Sequence, residues 1–136
     1  MTKEWHAAYI RKRRQQRRKA GQCVKCGKKT TRWNCKSCRV KENARSRRER
    51  VDLRNAALQA YGNECYCCGE RRKEFLGIDH AKGGGCRHRA KLKLAGAQFY
   101  RWLKKKKYPK GQFRVACHNC NLSVGFYGYC PHKGKA

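Results

Sequence analysis

The chain has 136 residues, and its 37 Lys and Arg against 8 Asp and Glu give a net charge of +29. Hydrophobic residues make up 39% of the chain. That fraction is too small for one large core, so we expect small modules closed by metal ions. The charge requires a polyanionic partner, and DNA or RNA is favoured over a membrane surface because Lys and Arg release counterions from phosphates.

Two kinds of targeting segment are excluded by hydropathy. No apolar run approaches the roughly 20 residues that a transmembrane helix needs, and the N-terminus lacks the apolar core of a secretion signal. We therefore expect a protein that does not enter membranes and stays in the cytoplasm, or in the host-cell cytoplasm if it is phage-encoded.

The first segment, 1–21, is predicted to be a basic arm or helix. Helical residues are expected from Glu4 to Lys19, with Gly21 as the stop. Repulsion between like charges at helical spacing leaves open a solvated tail that becomes ordered only on a partner. The side chains that we expect to bind phosphates here are Arg13, Arg14, Arg17 and Arg18.

The cysteine pattern indicates metal binding. Of 11 cysteines, most fall into Cys-x-x-Cys pairs, and an odd total without a secretion signal favours zinc over disulfides. Cys67, Cys86 and Cys130 lie outside the pairs, and we interpret them as reduced thiols in preference to a third metal site. Cys130-Pro131-His132 can nevertheless supply a zinc ligand.

Segment 22–38 is predicted to be a four-Cys zinc ribbon, with Gly27 allowing the tight turn after the first pair. A closed shell of four thiolates leaves no open coordination position, so we expect a structural or DNA-docking role. The ligands of this first structural zinc would be Cys23, Cys26, Cys35 and Cys38.

Segment 39–62 is predicted to be a basic linker helix. It has no Pro and no internal Gly before Gly62, and a loose apolar stripe runs among its arginines. Its basic face, which includes Arg47 and Arg48, could follow a DNA backbone, although such faces are often merely solvated.

Segment 63–132, followed by a tail at 133–136, is predicted to hold the active site. We expect strands at 75–80 and 112–116, a flexible loop at 83–85 and a short helix at 121–127. Between the strands, apolar residues from Leu92 to Leu103 recur at helical spacing ahead of a lysine run, which predicts an inserted amphipathic helix with a basic end.

The adjacent residues Asp79 and His80 carry the chemistry of this segment. A carboxylate suits Mg²⁺, and a neutral imidazole can take a proton from water. Neighbouring strand residues point to opposite faces, so a bend at the strand end must bring the two side chains together. Two Cys pairs frame them and place Asn121 nearby, and the ligands of a second structural zinc would be Cys65, Cys68, Cys117 and Cys120.

These residues together resemble the HNH, or ββα-metal, endonuclease superfamily. The match covers roughly Glu64 to Tyr127 and is closest to the zinc-bearing branch that includes phage recombination endonuclease VII and small phage HNH proteins. The resemblance implies a small α+β zinc-stabilised protein in which a ββα-metal (HNH) nuclease domain follows the ribbon and the linker helix.

The resemblance also implies a DNA endonuclease that hydrolyses phosphodiester bonds to 5′-phosphate and 3′-hydroxyl ends. His80 would be the general base, and Asp79 and Asn121 would bind a catalytic Mg²⁺ or Mn²⁺. Charge in the transition state could be offset by Arg87, Arg89 or Arg114. The remaining side chains expected to bind nucleic acid are His88, Lys104 and Lys105.

Two positions depart from the family pattern. Gln112 stands where the middle Asn of the three-letter motif is expected, and Gly125 stands where some members carry a further metal ligand. Two other functions stay open: a non-catalytic zinc-containing nucleic-acid-binding adaptor, and a nuclease descendant that has lost activity. Double-strand cutting by one active site would need a homodimer or two sequential nicks.

Overall fold

The computed structural model describes residues 2–133. These residues form a small α+β structure with five α-helices and one two-stranded antiparallel sheet. The chain divides into two compact units, Met1–Arg48 and Glu49–Ala136. The helices are α1 (Lys3–Lys19), α2 (Lys36–Ala60), α3 (Gly85–Lys91), α4 (Ala97–Lys105) and α5 (His118–Tyr127), and the strands are β1 (Leu76–His80) and β2 (Phe113–Cys117).

The first unit contains α1, a cysteine-bearing loop and the start of α2. Thr2 caps α1 by accepting a hydrogen bond from the Trp5 N–H at 3.3 Å, and the basic last turn of α1 suits the negative end of the helix dipole. The basic N-terminal segment is therefore a helix. None of its residues is buried.

Helix α2 begins three residues before the predicted start of the linker helix. The carbonyl of Cys35 accepts a hydrogen bond from the Arg39 N–H at 3.0 Å, which closes the first turn. Cys38, the last cysteine of the predicted ribbon, consequently lies inside the helix.

The second unit is built around the two strands. Leu76 pairs with Cys117, Ile78 with Val115 and His80 with Phe113 in an antiparallel register. Leu76 and Val115 are almost fully buried. They pack with Leu58 of α2 and with Cys65, Cys117 and Cys120. Burying side chains of this size contributes about 1.5–3 kcal/mol each.

A second apolar cluster lies under the opposite end of the sheet. Ala57, Phe99, Leu103 and Phe113 are its buried members. Phe99 and Leu103 come from α4, whose apolar residues follow the predicted helical spacing. The helix starts at Ala97 and not near Leu92, because positive φ angles at Lys93 and Gly96 interrupt helical backbone before it.

Helix α3 was not predicted. Its sequence begins in the glycine run that we interpreted as a loop, but Gly84 adopts a left-handed conformation at φ 76° and serves as the N-cap. The strands, by contrast, lie within a residue or so of their predicted positions. Among residues 2–133, no helix combines the length and apolar character needed to cross a membrane.

Candidate metal centres and candidate active site

The four ribbon cysteines of the first unit are brought together as predicted. Their ligand atoms all lie within 4.8 Å of one another, and Cys26 Sγ is 3.6 Å from Cys35 Sγ. A tetrahedral zinc with bonds of about 2.3 Å places its sulfurs about 3.8 Å apart. Backbone N–H groups, that of Cys26 first, lower the pKa of Cys23 to about 6 and favour the thiolate that a metal requires. These residues can hold zinc.

Two of the predicted phosphate-binding arginines bond to this ribbon. The guanidinium of Arg17 donates to the carbonyls of Val24 and Lys25 at 3.3 and 2.8 Å. Arg18 donates to the carbonyl of Thr31 at 3.2 Å. The C-terminal end of α1 is therefore bonded both to the first Cys-x-x-Cys turn and to the loop between the two Cys pairs.

The four predicted cysteines of the second unit also form one group. Their ligand atoms lie within 4.8 Å of one another, and Cys68 Sγ is 3.7 Å from Cys117 Sγ. Burial raises the pKa of Cys65, but the backbone N–H groups of Cys68, Cys117 and Cys67 lower it to about 6 overall. The group joins the loop before β1 to the start of α5, and it can hold zinc.

A third group of ligands lies beside the second one. It contains Cys67, Cys120, Cys130 and His132, again with ligand atoms within 4.8 Å of one another. The sequence favours Cys67 and Cys130 as reduced thiols over a third metal site, but the structure places both in a group that could hold a metal ion. The short spacing of Cys130 and His132 is the sequence feature that indicates a zinc ligand here.

The three predicted catalytic residues line one open cavity of about 540 Å³. Asp79 and His80 reach it from the end of β1, and Asn121 reaches it from the first turns of α5. Helix α5 starts at His118, earlier than predicted, because the Cys117 side chain accepts the Cys120 N–H at 3.3 Å. Glycines 83–85 form another part of the wall.

The His80 ring is held on several sides. Its Nε2 lies 2.8 Å from Nδ1 of His88, which α3 supplies. Phe99 stacks on the ring with centroids 5.7 Å apart, and Phe113 meets it edge-on at 4.7 Å. At Gly85, an added Cβ would lie 2.8 Å from His80 Nδ1. The absence of a side chain at Gly85 therefore leaves room beside Nδ1, the His80 ring nitrogen that His88 does not contact.

The environment lowers the pKa of His80. Burial is the main cause, the neighbouring His88 and Arg89 act in the same direction, and the Asp79 carboxylate opposes them. An imidazole with a lowered pKa is neutral at physiological pH, as a general base must be.

Asp79, one residue before His80 on β1, lines the same cavity and is held from the neighbouring strand. Its Oδ2 accepts a hydrogen bond from Arg114 Nε at 3.0 Å, across the β1–β2 pair. The Arg114 guanidinium also lies 3.7 Å from the centre of the Tyr66 ring. This support orients the carboxylate at the cavity wall.

The predicted nucleic-acid-binding residues fall into two groups, one half-buried and one exposed. Arg17, His88 and Arg114 are half-buried, and each has the partner described above. Arg89 and Arg114 line the cavity. The remaining members are exposed: Arg13, Arg14, Arg18, Arg47, Arg48, Arg87, Arg89, Lys104 and Lys105.

Comparison of the chain with protein-family models, with curated proteins and with solved structures found no match in any of the three.

Proposed function

We propose that this chain is a metal-dependent DNA endonuclease of the HNH type. The convergence of Asp79, His80 and Asn121 on one cavity carries the proposal. These are the residues of the sequence motif: Asp79 and His80 stand on the first of two antiparallel strands, and Asn121 stands on the helix that follows the second. The net charge of +29 supports a nucleic-acid substrate.

The donor set of the cavity suits a hard divalent cation. The Asp79 carboxylate and the Asn121 side-chain amide offer oxygen ligands, which Mg²⁺ or Mn²⁺ prefers. Bound there, the cation would supply charge stabilisation to the phosphate and to the departing 3′ oxygen. The sulfur groups suit zinc instead, so the two kinds of site have separate roles.

His80 would remove the proton from the attacking water through Nδ1. That role requires the tautomer with hydrogen on Nε2, and this tautomer donates to His88 Nδ1 across the 2.8 Å contact. His88 thereby takes the orienting role that Gln112 leaves unfilled. The absence of a side chain at Gly85 leaves the Nδ1 edge of the ring unobstructed.

Two arginines can offset the negative charge that develops on the phosphate. Arg89 and Arg114 line the cavity, so they are better placed than Arg87 among the three candidates. Water attack in line with the 3′ oxygen would leave 5′-phosphate and 3′-hydroxyl ends.

Plasmid nicking by the purified chain tests the proposal. His80→Ala should reduce the single-turnover rate by about 10²–10⁴-fold and leave DNA binding unchanged, since it removes the base and no charge that binds phosphate. Asp79→Ala and Asn121→Ala should also fail to cleave. His118→Ala is the matched control, because His118 is exposed on α5 and does not line the cavity.

The metal dependence should be tested by omitting Mg²⁺ and not by adding a chelator, which would also remove structural zinc. Cleavage should require Mg²⁺ or Mn²⁺ while the zinc content stays constant. Wild-type cleavage rates in the His80→Ala protein would disprove the assigned base. Tight DNA binding without nicking would instead favour the non-catalytic adaptor.

A further inference from the structure

Two groups of metal ligands in the second unit share one residue. Cys65, Cys68, Cys117 and Cys120 form the first group, and Cys120 belongs also to the group with Cys67, Cys130 and His132. The ligand atoms within each group lie within 4.8 Å of one another. Seven side chains therefore surround two neighbouring positions, with Cys120 between them.

The distances within the second of these groups are those of metal ligands. His132 Nδ1 lies 3.4 Å from Cys120 Sγ and 3.3 Å from Cys130 Sγ. Tetrahedral zinc, with bonds of about 2.0–2.1 Å to nitrogen and 2.3 Å to sulfur, places these atoms about 3.5 Å apart. The cysteines are all free thiols, so no disulfide competes for them.

The local sequence directs alternate cysteines to the two positions. Cys65 and Cys68 form the usual knuckle pair, while Cys67, between them, belongs to the other group. Cys130 and His132 come from the segment after α5, where Pro131–Lys133 forms a short 3₁₀-helix. Cys120 is fully buried in the first turn of α5, and Cys130 is 5% exposed.

We propose that the second unit binds two zinc ions that share the Cys120 thiolate. One ion is held by Cys65, Cys68, Cys117 and Cys120. The other is held by Cys67, Cys120, Cys130 and His132. A thiolate sulfur has enough lone pairs to bind two ions, and each ion then has the four ligands that a closed structural site requires.

The charge of the cluster fits its surroundings. Six thiolates, one neutral imidazole and two Zn²⁺ carry a net charge of about −2, from the charges of the ligand forms that bind metal. The chain carries +29, and Lys133 lies beside the cluster with its Nζ 5.3 Å from the Tyr66 ring centre. The second ion would tie the segment after α5 to the first turn of that helix, next to Asn121.

Counting zinc in the purified full chain is the first test. Native mass spectrometry with elemental analysis should give three ions per chain, one in the first unit and two in the second. Cys67→Ser, Cys130→Ser and His132→Ala should each lower the count from three to two. Cys86→Ser is the matched control and should retain three, because Cys86 is an exposed cysteine outside all the ligand groups.

Cadmium substitution tests the shared thiolate directly in the wild-type chain. With ¹¹³Cd in place of zinc, two of the three NMR signals should split each other through Cys120, and the third should remain a singlet. Two ions per wild-type chain, an unchanged count in all three variants, or three uncoupled ¹¹³Cd signals would each overturn the proposal. Neither measurement involves DNA or Mg²⁺, so the cluster can be established even if the chain does not cleave.

Discussion

At His80, the neighbouring side chains determine both the orientation and the charge of the imidazole. His88 contacts Nε2 at 2.8 Å, and the Phe99 and Phe113 rings restrict rotation. The contact comes from α3, a helix of seven residues that also places Arg89 at the cavity. Under the proposed function, His88 takes the orienting role for which the HNH pattern supplies asparagine.

Gly85 provides the first prediction at the residue scale. Gly85→Ala would put a methyl group 2.8 Å from His80 Nδ1 and 3.3 Å from Cε1, displacing the ring or the attacking water. Alanine stabilises a helix relative to glycine by roughly 0.5–1 kcal/mol, while displacing a packed ring costs on the order of 1–3 kcal/mol, so thermal stability should fall only slightly. We expect single-turnover cleavage to fall about 10²-fold with DNA binding unchanged.

Ala90→Ser, further along α3, is the control for this substitution. It adds one atom at an exposed position that does not line the cavity, so it should cleave at the wild-type rate. Equal rates in the Gly85→Ala and wild-type proteins would show that the space beside Nδ1 is not used.

The second residue-scale prediction concerns pH. Because burial lowers the pKa of His80, the base is neutral above that lowered pKa and becomes protonated only in more acidic solution. Cleavage at saturating Mg²⁺ should therefore rise about tenfold per pH unit on an acid limb centred below 6.5, the ordinary histidine value, and level off above it.

His88→Phe keeps an aromatic ring in the packing but removes a titratable neighbour whose charge, when it is protonated, lowers the pKa of His80. The acid limb should move to higher pH, in addition to a loss of rate from the missing hydrogen bond. The rate of a single turnover, measured from pH 5 to 8 for both proteins, provides the comparison. An unshifted limb with a lower plateau would mean that His88 acts on orientation alone.

At the scale of elements, the sequence predicted best those features that depend on residues close together in the chain. Each Cys-x-x-Cys pair is a local turn, so the membership of both four-Cys groups could be predicted from spacing. The strands were predictable because Phe113 and Val115 alternate with polar neighbours. Helix α3 was not, because its glycines favour a loop and its contact with His80 exists only after folding.

The shared role of Cys120 was unpredictable for the same physical reason. Cys67 lies more than 60 positions before Cys130 and His132, and only the packing of the segment after α5 brings them to one place. Asp79, His80 and Asn121 were predicted from the motif, and the structure brings them to one cavity.

The end of α1 gives a prediction at this scale. Arg17 donates to two ribbon carbonyls, whereas Arg14, one turn earlier, is exposed. Arg17→Ala should destabilise the ribbon on the order of 1–2 kcal/mol, because hydrogen bonds from a charged donor are lost. Hydrogen exchange of the Cys23 and Gly27 amides, both bonded inside the ribbon, should then be about tenfold faster or more.

Arg14→Ala is the matched control for the ribbon, since it removes the same type of side chain from the same helix without touching a carbonyl of the ribbon. Its amide exchange should equal that of the wild type. If these amides are equally protected in the Arg17→Ala and wild-type proteins, Arg17 does not stabilise the ribbon, and only its predicted role in phosphate binding remains.

At the scale of the whole molecule, charge is the dominant property. The 37 basic residues outnumber the 8 acidic ones, and many of the basic side chains are exposed on α1, α2 and α4. Such a surface binds phosphates without reading bases, because phosphate contacts carry no sequence information. Any preference for a site or a branched structure must come from other contacts.

The last prediction follows from this charge. Duplex DNA affinity should fall steeply with salt, and a chain that neutralises about six to ten phosphates would lose roughly 10³–10⁵-fold in affinity between 50 and 200 mM salt. Arg14→Ala should weaken binding equally on unrelated sequences and reduce the log–log salt slope by about 1, since one counterion fewer is released.

Gln15→Ala, at the next exposed position of α1, removes no charge and should leave the slope unchanged. Fluorescence anisotropy over a salt series, with duplexes of two unrelated sequences, measures both quantities. A salt-independent affinity would contradict the assignment of the basic surface to phosphate binding, and an Arg14→Ala slope equal to that of Gln15→Ala would remove α1 from the DNA interface.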